Sequence, residues 1–311
     1  MGGRTMSEKD DPDAKELAEL LALPYSVETQ SKIAKLLNKG TDNPTNNFAS
    51  EEHFEGIMMF LSLISSKITG RPMTASHSLA SGMIGKICIT AMSTQALYRD
   101  HEDKRLPFLD HSSIAVLCRT IIETSIMYWY LMEEVSEDEW EFRLQVMKIH
   151  DAASRVRLFK RMIAEAADNQ RAALKALRDQ LTAMPLFQKR TEQQRKKMLG
   201  GQLIYVNGMR PVVESMNFDE EYFDSVYNYL SSYVHSTPLS YFRDGDYHDF
   251  KDVFWRRSFT GYALHHAWVM MVRVGLKEME ASNLESHFDP ELVKEVRRTA
   301  AQRPTSAVPP S

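Results

Sequence analysis

The sequence is poor in the two residues that interrupt helices. Thirteen glycines and twelve prolines are spread over 311 residues, and they cluster in a few places. Between the clusters nothing forces the backbone out of helical geometry, so long unbroken helices are expected. Cysteine is scarcer still. Cys88 and Cys118 both stand inside apolar patterns. That excludes a disulfide-stapled fold and reads each thiol as a small buried hydrophobe. An excess of one charge is also lacking. Thirty-eight Lys and Arg against 42 Asp and Glu leave a net charge of −4, with no global pull toward nucleic acid or an anionic membrane. No stretch sustains the period-two alternation of a half-buried strand, and no fixed-period repeat is visible. A Gly-rich phosphate loop and a Gly-x-Ser-x-Gly elbow are both missing. The opening residues are polar and acidic, without the apolar segment of a secretory signal. Met6 stands where an N-myristoylation signal has Ser or Thr. A cytoplasmic protein that does not enter the membrane is expected.

What the chain does have is one apolar run with charge inside it. Residues 110–132 form the most apolar long stretch, and Arg119 and Glu123 sit near its middle. Four residues apart, the two stack on one face of a helix. Ile114, Leu117, Ile121, Ile122, Ile126 and Trp129 surround them. Apolar nearly all round, this helix belongs in the centre of a bundle, and its two charges argue against a membrane span. A guanidinium and a carboxylate carried inside must be paired and further hydrogen-bonded, because desolvation dominates otherwise. The expectation is a buried polar cluster completed by other helices.

Taken in order, the chain reads as helix after helix. Asp11-Pro12 supplies an N-cap acid and a proline at the first helical position, and Ser26 opens a second helix that Gly40 stops. Thr-Asn-Asp-Pro-rich residues 41–47 read as a linker, so residues 1–47 form an N-terminal helical extension. Residues 48–284 make the main bundle, and 285–311 a short helix with a disordered tail. Within the bundle a long helix covers 75–100, where Gly82 and Gly85 read either as tolerated glycines or as a place for another helix to approach closely. Ser136 and Glu139 have the spacing of a capping box, and Trp140, Leu144, Met147 and Val156 are the expected inward residues after it. Helices follow over 169–183, from Asp219 through His235, over 250–282 and over 290–299. The fold class is all-α, an antiparallel multi-helix bundle.

Three constellations bear on chemistry. The Arg119/Glu123 pair reads either as an anion-binding arginine oriented by glutamate or as a structural ion pair that fixes packing. Tyr227, Ser231 and His235 recur every four residues and form a polar stripe beside Phe223, Val226, Leu230 and Val234. That stripe either faces the Arg/Glu pair, with His235 suited to move a proton, or is a solvated face ending in a helix-terminal histidine. His150-Asp151 is the third, with His101, Asp110 and His111 as conceivable further metal ligands. A His-Asp dipeptide arises by chance roughly once in two chains of this composition, so no metal and no cofactor are expected. The basic run 188–197 lacks interleaved aromatics and reads as a solvated helix face. His265 and His266 read as core or interface residues.

The pairing of Arg119-Thr-Ile-Ile-Glu123 with a Tyr/Ser-rich helix ending Ser231-Ser-Tyr-Val-His235 resembles an uncharacterised family of bacterial helical proteins related to the HEPN superfamily. The resemblance covers roughly 50–280. It implies an antiparallel helical bundle, a homodimer, and binding of RNA or a nucleotide. Many HEPN proteins are metal-independent RNases in toxin or phage-defence systems, and others are binding modules without activity. On that reading Arg119, Glu123, Ser231 and His235 are the catalytic centre, with His235 as general acid or base and Arg119 stabilising charge at phosphorus. The sequence departs from the active members, which carry Arg shortly before His on one helix: Asn228, Tyr229 and Leu230 stand at that spacing before His235. Arg143 with His150, and Arg243 with His248, match the spacing elsewhere. The other class of function is a non-catalytic helical interaction protein whose polar cluster only sets packing; eighteen Met and many aromatics suit a large interface.

Overall fold

A computed structural model describes residues 26–38, 51–102, 109–160, 164–218, 220–235, 237–238, 240 and 253–301. The expected helix at Asp11-Pro12, the linker 41–47, the cap Asp219, the Arg243/His248 pair and the terminal tail lie outside the described residues. Among the described residues every regular element is a helix, and no strand is present. The chain is an all-α multi-helix bundle. It divides into two compact units, residues 1–128 with 218–311 and residues 129–217.

The first unit contains α1 (Val27–Asn38), α2 (Glu51–Ile68), α3 (Ala75–Glu102) and most of α4 (His111–Leu131). The chain returns to it with α10 (Glu220–Val234), α11 (Val253–Ala281), a 3-10 turn (Glu285–His287) and α12 (Pro290–Ala300). Ser26 caps α1 by accepting the Thr29 N–H through its hydroxyl at 3.1 Å. Buried Ile33 and Leu37 then face α2 and α12. Phe54, Ile57, Phe60, Leu61 and Ile64 of α2 are buried, and so are Trp268, Met271 and Val274 of α11. Helices α2 and α11 meet closely at Gly275, where a Cβ would stand 2.7 Å from the Phe60 ring. Any larger residue there would have to push the two helices apart. Asp289 caps α12 through the Glu291 N–H at 2.8 Å.

Helix α4 is capped by Asp110, whose carboxylate accepts the Ser113 N–H at 3.0 Å. By length and composition it is the one described helix able to cross a bilayer, yet 61% of its apolar window is buried inside the protein, as in a core helix. Ile114, Ile121, Ile122 and Ile126 are fully or almost fully covered.

The second unit holds α5 (Glu137–Phe159), α6 (Ala164–Ala183), α7 (Pro185–Gln188), α8 (Glu192–Leu199) and α9 (Arg210–Ser215). Its core is Phe142, Val146, Ile149, Leu174, Leu181, Phe187 and Met198. The inward face of α5 thus differs from expectation: Trp140, Leu144, Met147 and Val156 are only half-buried. The helix is rotated so that Arg143 and Gln145 also go inside, because both find polar partners there. Ser136 caps α5 through the Glu139 N–H, but the return half of the box is not made, since the Glu139 carboxylate is taken by Arg143 at 3.0 Å. A complete box forms instead between Thr191 and Gln194 at the start of α8. The basic run on α8 is largely solvated, with Met198 as its buried anchor. Gly201 ends this stretch at φ +65°, where a Cβ would stand 2.5 Å from Ala153. Both the left-handed backbone and the contact select glycine.

Candidate functional site

Helices α4 and α10 bring three of the expected residues into one cluster. Arg119 donates from Nε to Glu123 Oε1 at 3.0 Å, and its Nη2 lies 2.9 Å from the same oxygen. Nη2 also donates to the Tyr227 hydroxyl at 3.1 Å. That hydroxyl donates in turn to Glu123 Oε1 at 2.7 Å. The guanidinium carbon sits 4.7 Å from the Tyr227 ring centroid, in cation–π range. So Tyr227 serves the pair twice, with its edge oxygen and with its face. The neighbouring apolar stripe of α10 buries Phe223, Val226 and Leu230, whereas Val234 is exposed. Phe223 stacks on Tyr227 with centroids 5.6 Å apart.

Burial is uneven. The Arg119 side chain is 11% exposed and that of Glu123 is 45% exposed, so the pair lies at the edge of the core, with its carboxylate half in water. Burial opposes the charge of Arg119, but the Tyr227 hydrogen bond and the Glu123 carboxylate outweigh it and hold the proton more firmly than usual. Burial raises the Tyr227 pKa, and its hydrogen bond to Glu123 adds to the rise. Near neutral pH the phenol is therefore a donor and not a base. Arg119 Nη1 is buried and has no hydrogen-bond partner among the described residues.

The other two site residues lie apart from this centre. Ser231 spends its hydroxyl on its own helix, donating to the Tyr227 carbonyl at 2.6 Å. His235 follows the last turn of α10, is exposed, and makes no side-chain hydrogen bond or ring contact among the described residues. Eight residues past Tyr227, it stands about 12 Å farther along the helix axis.

Two polar centres were not anticipated. Glu278 of α11 is completely buried in the first unit. Tyr128 donates to its Oε2 at 2.8 Å, Ser282 to its Oε1 at 2.7 Å, and His77 Nε2 lies 2.6 Å from that same oxygen. Burial, then the Glu278 charge, drives the Tyr128 pKa well above its ordinary value. In sequence, Lys277-Glu278-Met279-Glu280 reads as a solvated charge run, and only the position of Glu278 on the inward stripe with Met271 and Val274 gives it away. The second centre is His111 at the start of α4. Its Nδ1 is 3.0 Å from the Thr260 hydroxyl and its Nε2 is 2.8 Å from the Tyr229 hydroxyl.

The remaining motifs are each engaged separately. His150 Nδ1 lies 3.0 Å from the Gly201 carbonyl, and Asp151 pairs with Arg155. Among the described residues no three His, Cys, Asp or Glu side chains are grouped as a metal site. His265 and His266 are core residues. Burial lowers the pKa of the first to about 3, with the neighbouring His266 adding to it, and that of the second to about 4. Cys118 is buried and Cys88 half-buried; burial pushes the Cys88 thiol up to about 12.

As for known proteins, the model of a family of unknown function, DUF5677, matches residues 77–252. Neither a curated protein nor a solved structure matches the chain.

Proposed function

The chain belongs to the DUF5677 family of unknown function, and from that premise we propose that it is a non-catalytic helical interaction protein of the cytoplasm. In this reading Arg119, Glu123 and Tyr227 lock α4 to α10. One observation carries it: Nε and Nη2 of the guanidinium are both committed inside the cluster, and the carboxylate and phenol are bonded to each other. A phosphate taking the Nε and Nη2 edge of this arginine would have to displace Glu123, which is anchored three times through a single oxygen. Tyr227 is protonated near neutral pH and His235 stands two turns away, so neither serves as a base at the guanidinium.

The second reading is a HEPN-like protein that binds RNA or a nucleotide and cleaves RNA, in a toxin or phage-defence setting. Two observations favour it: the unpartnered Nη1 of Arg119 and the open imidazole of His235. Its catalytic residues would be Arg119, Glu123, Ser231 and His235. Incubating the purified full chain with end-labelled single-stranded RNA, without added metal, separates the two. The interaction reading expects intact RNA from wild type and from His235→Ala alike. Cleavage by wild type that His235→Ala abolishes, with the circular dichroism melt unchanged, would sink it.

A further inference from the structure

Helix α5 changes charge from end to end. It begins with Glu137, Asp138 and Glu139 and finishes with Arg155, Arg157 and the C-cap Lys160. From Ala152 to Ala164 the chain has four Lys or Arg and no acid. Such a gradient complements the backbone dipole, which accounts for the cations but not for the residue between them. Lys148, Asp151, Arg155 and Leu158 form the outward stripe of the helix, all exposed. Leu158 is 59% exposed, and among the described residues it is the one large hydrophobe of the second unit left so bare. Asp151 is spent on Arg155 at 2.8 Å. Arg157 donates to the uncharged Ser154 hydroxyl at 2.9 Å, and Lys160 has no carboxylate partner among the described residues. This stretch is the free end of a helical hairpin. Gln145 ties α5 to α6 by donating to the Leu177 carbonyl at 2.7 Å, and Lys160 lies about 22 Å farther along the helix. Gly201 crosses α5 at Ala153, before the stretch begins.

We propose that this end of α5 rests on the surface of a membrane rich in anionic phospholipid, without crossing it. Leu158 enters the headgroup layer, and Arg155, Arg157 and Lys160 lie among the lipid phosphates. An apolar side chain set between cations satisfies both layers of such a surface at once. Size and group type select this partner. Two turns of helix offer far less than the roughly 800 Å² per partner that a stable protein interface covers. A lipid surface has no such threshold, because each cation and each inserted apolar group adds separately. A nucleic acid would use the cations but leave Leu158 in water, since its bases stack on flat rings and not on an aliphatic tip. The net charge of −4 does not oppose this docking. The acidic start of α5 stands about 27 Å from Arg157, more than three screening lengths at physiological salt. The inference rests on the interaction reading and names its partner, but it is read out by vesicle binding, independently of any RNA cleavage.

The test is flotation of the full chain with vesicles of phosphatidylcholine alone, or of phosphatidylcholine with about 30% phosphatidylserine, at low and high salt. Wild type is expected to float with the anionic vesicles only and to be released by salt. Arg157→Glu should weaken that binding by about fivefold or more, since each cation at an anionic surface contributes roughly that factor. Leu158→Gln should weaken it by about tenfold while leaving the salt dependence in place. Lys197→Glu makes the same charge change on α8 and is expected to bind as wild type does. All three positions are exposed, so unchanged circular dichroism melts are expected. Wild type that stays with the solution in the presence of anionic vesicles overturns the proposal. So does flotation that Leu158→Gln leaves intact, or that Lys197→Glu weakens as much as Arg157→Glu. Retention of labelled single-stranded RNA in place of vesicles, lost in Arg157→Glu, would assign the cations to nucleic acid and overturn it equally.

Discussion

Among the described residues each unit holds an arginine set between carboxylate and tyrosine, and the two do so differently. In the second unit Arg143 donates from Nη1 to Glu133 at 2.8 Å and from Nε to Glu139 at 3.0 Å, with its guanidinium 4.5 Å from the Tyr130 ring centroid. Both carboxylates are close in sequence, ten and four residues away. In the first unit Arg119 has a single carboxylate, from its own helix, and the Tyr227 phenol from 108 residues away. The Arg143 cage is local, with Arg190 as a second cation 3.8 Å from Glu139, and it pins the start of α5. The Arg119 cluster is electrically balanced and long-range, and it ties two helices of the fold together. The difference teaches that one Arg–Glu–Tyr chemistry can either fix a helix end or close a tertiary contact, depending on where the aromatic comes from.

Acid acts on one side of this comparison. Nine of the ten histidines belong to the first unit by sequence, and His150 is the only one in the second. His265 and His266, lowered to about 3 and about 4, stay neutral in the folded state at pH values where the unfolded chain takes up protons. The sign follows. Their contribution is complete above the ordinary histidine value near 6.5 and is lost as pH falls from there toward 4. Together they should cost roughly 3–4 kcal/mol between pH 7 and pH 5. Urea denaturation at the two pH values checks this, and His265→Phe should remove about half of the loss. Equal midpoints at both pH values would contradict it.

Next in size is Arg143→Met. It removes the cation that bonds both carboxylates and leaves only Arg190, 3.8 Å from Glu139, as a counter-charge; after discounting for the half-exposed Glu133, we expect a loss of about 2–3 kcal/mol in chemical denaturation. Arg119→Met should cost less, about 1–2 kcal/mol, because Glu123 can turn to water and still accept from Tyr227. If Arg119→Met proves the more damaging of the two, the contrast between the cages fails. Smallest is Tyr227→Phe, which keeps the ring under the guanidinium and removes only the hydroxyl. A loss of about 1 kcal/mol is expected, and a neutral result would mean that the ring alone makes the tie.

Much of this architecture was legible from residue types. Sparse Gly and Pro foretold the long helices, and the four-residue spacing of Arg119 and Glu123 foretold their pairing. The stripe on α10 pointed to Tyr227 but not to its dominance, since spacing alone cannot tell which member of a polar stripe reaches a neighbouring helix. His235 carried the expected chemistry yet stands away from the cluster, two turns farther along the same axis. Glu278 was harder to read for a different reason: its place on the inward stripe of α11 hints at burial, but its partners His77 and Tyr128 lie 201 and 150 residues away, and no local pattern names them. Arg143 hid likewise, because a charged residue on a mixed helix face reads as solvated until its cage is seen.

The thiol of Cys118 gives the protein a built-in reporter. It is fully covered on α4, and burial drives its pKa upward, so the folded molecule offers a thiol reagent neither access nor thiolate. Labelling at that sulfur can then proceed only through molecules whose central helix has come open. When reclosing outpaces modification, the labelling rate at rising reagent concentration measures the free energy of that opening in native buffer, without denaturant and without any engineered probe.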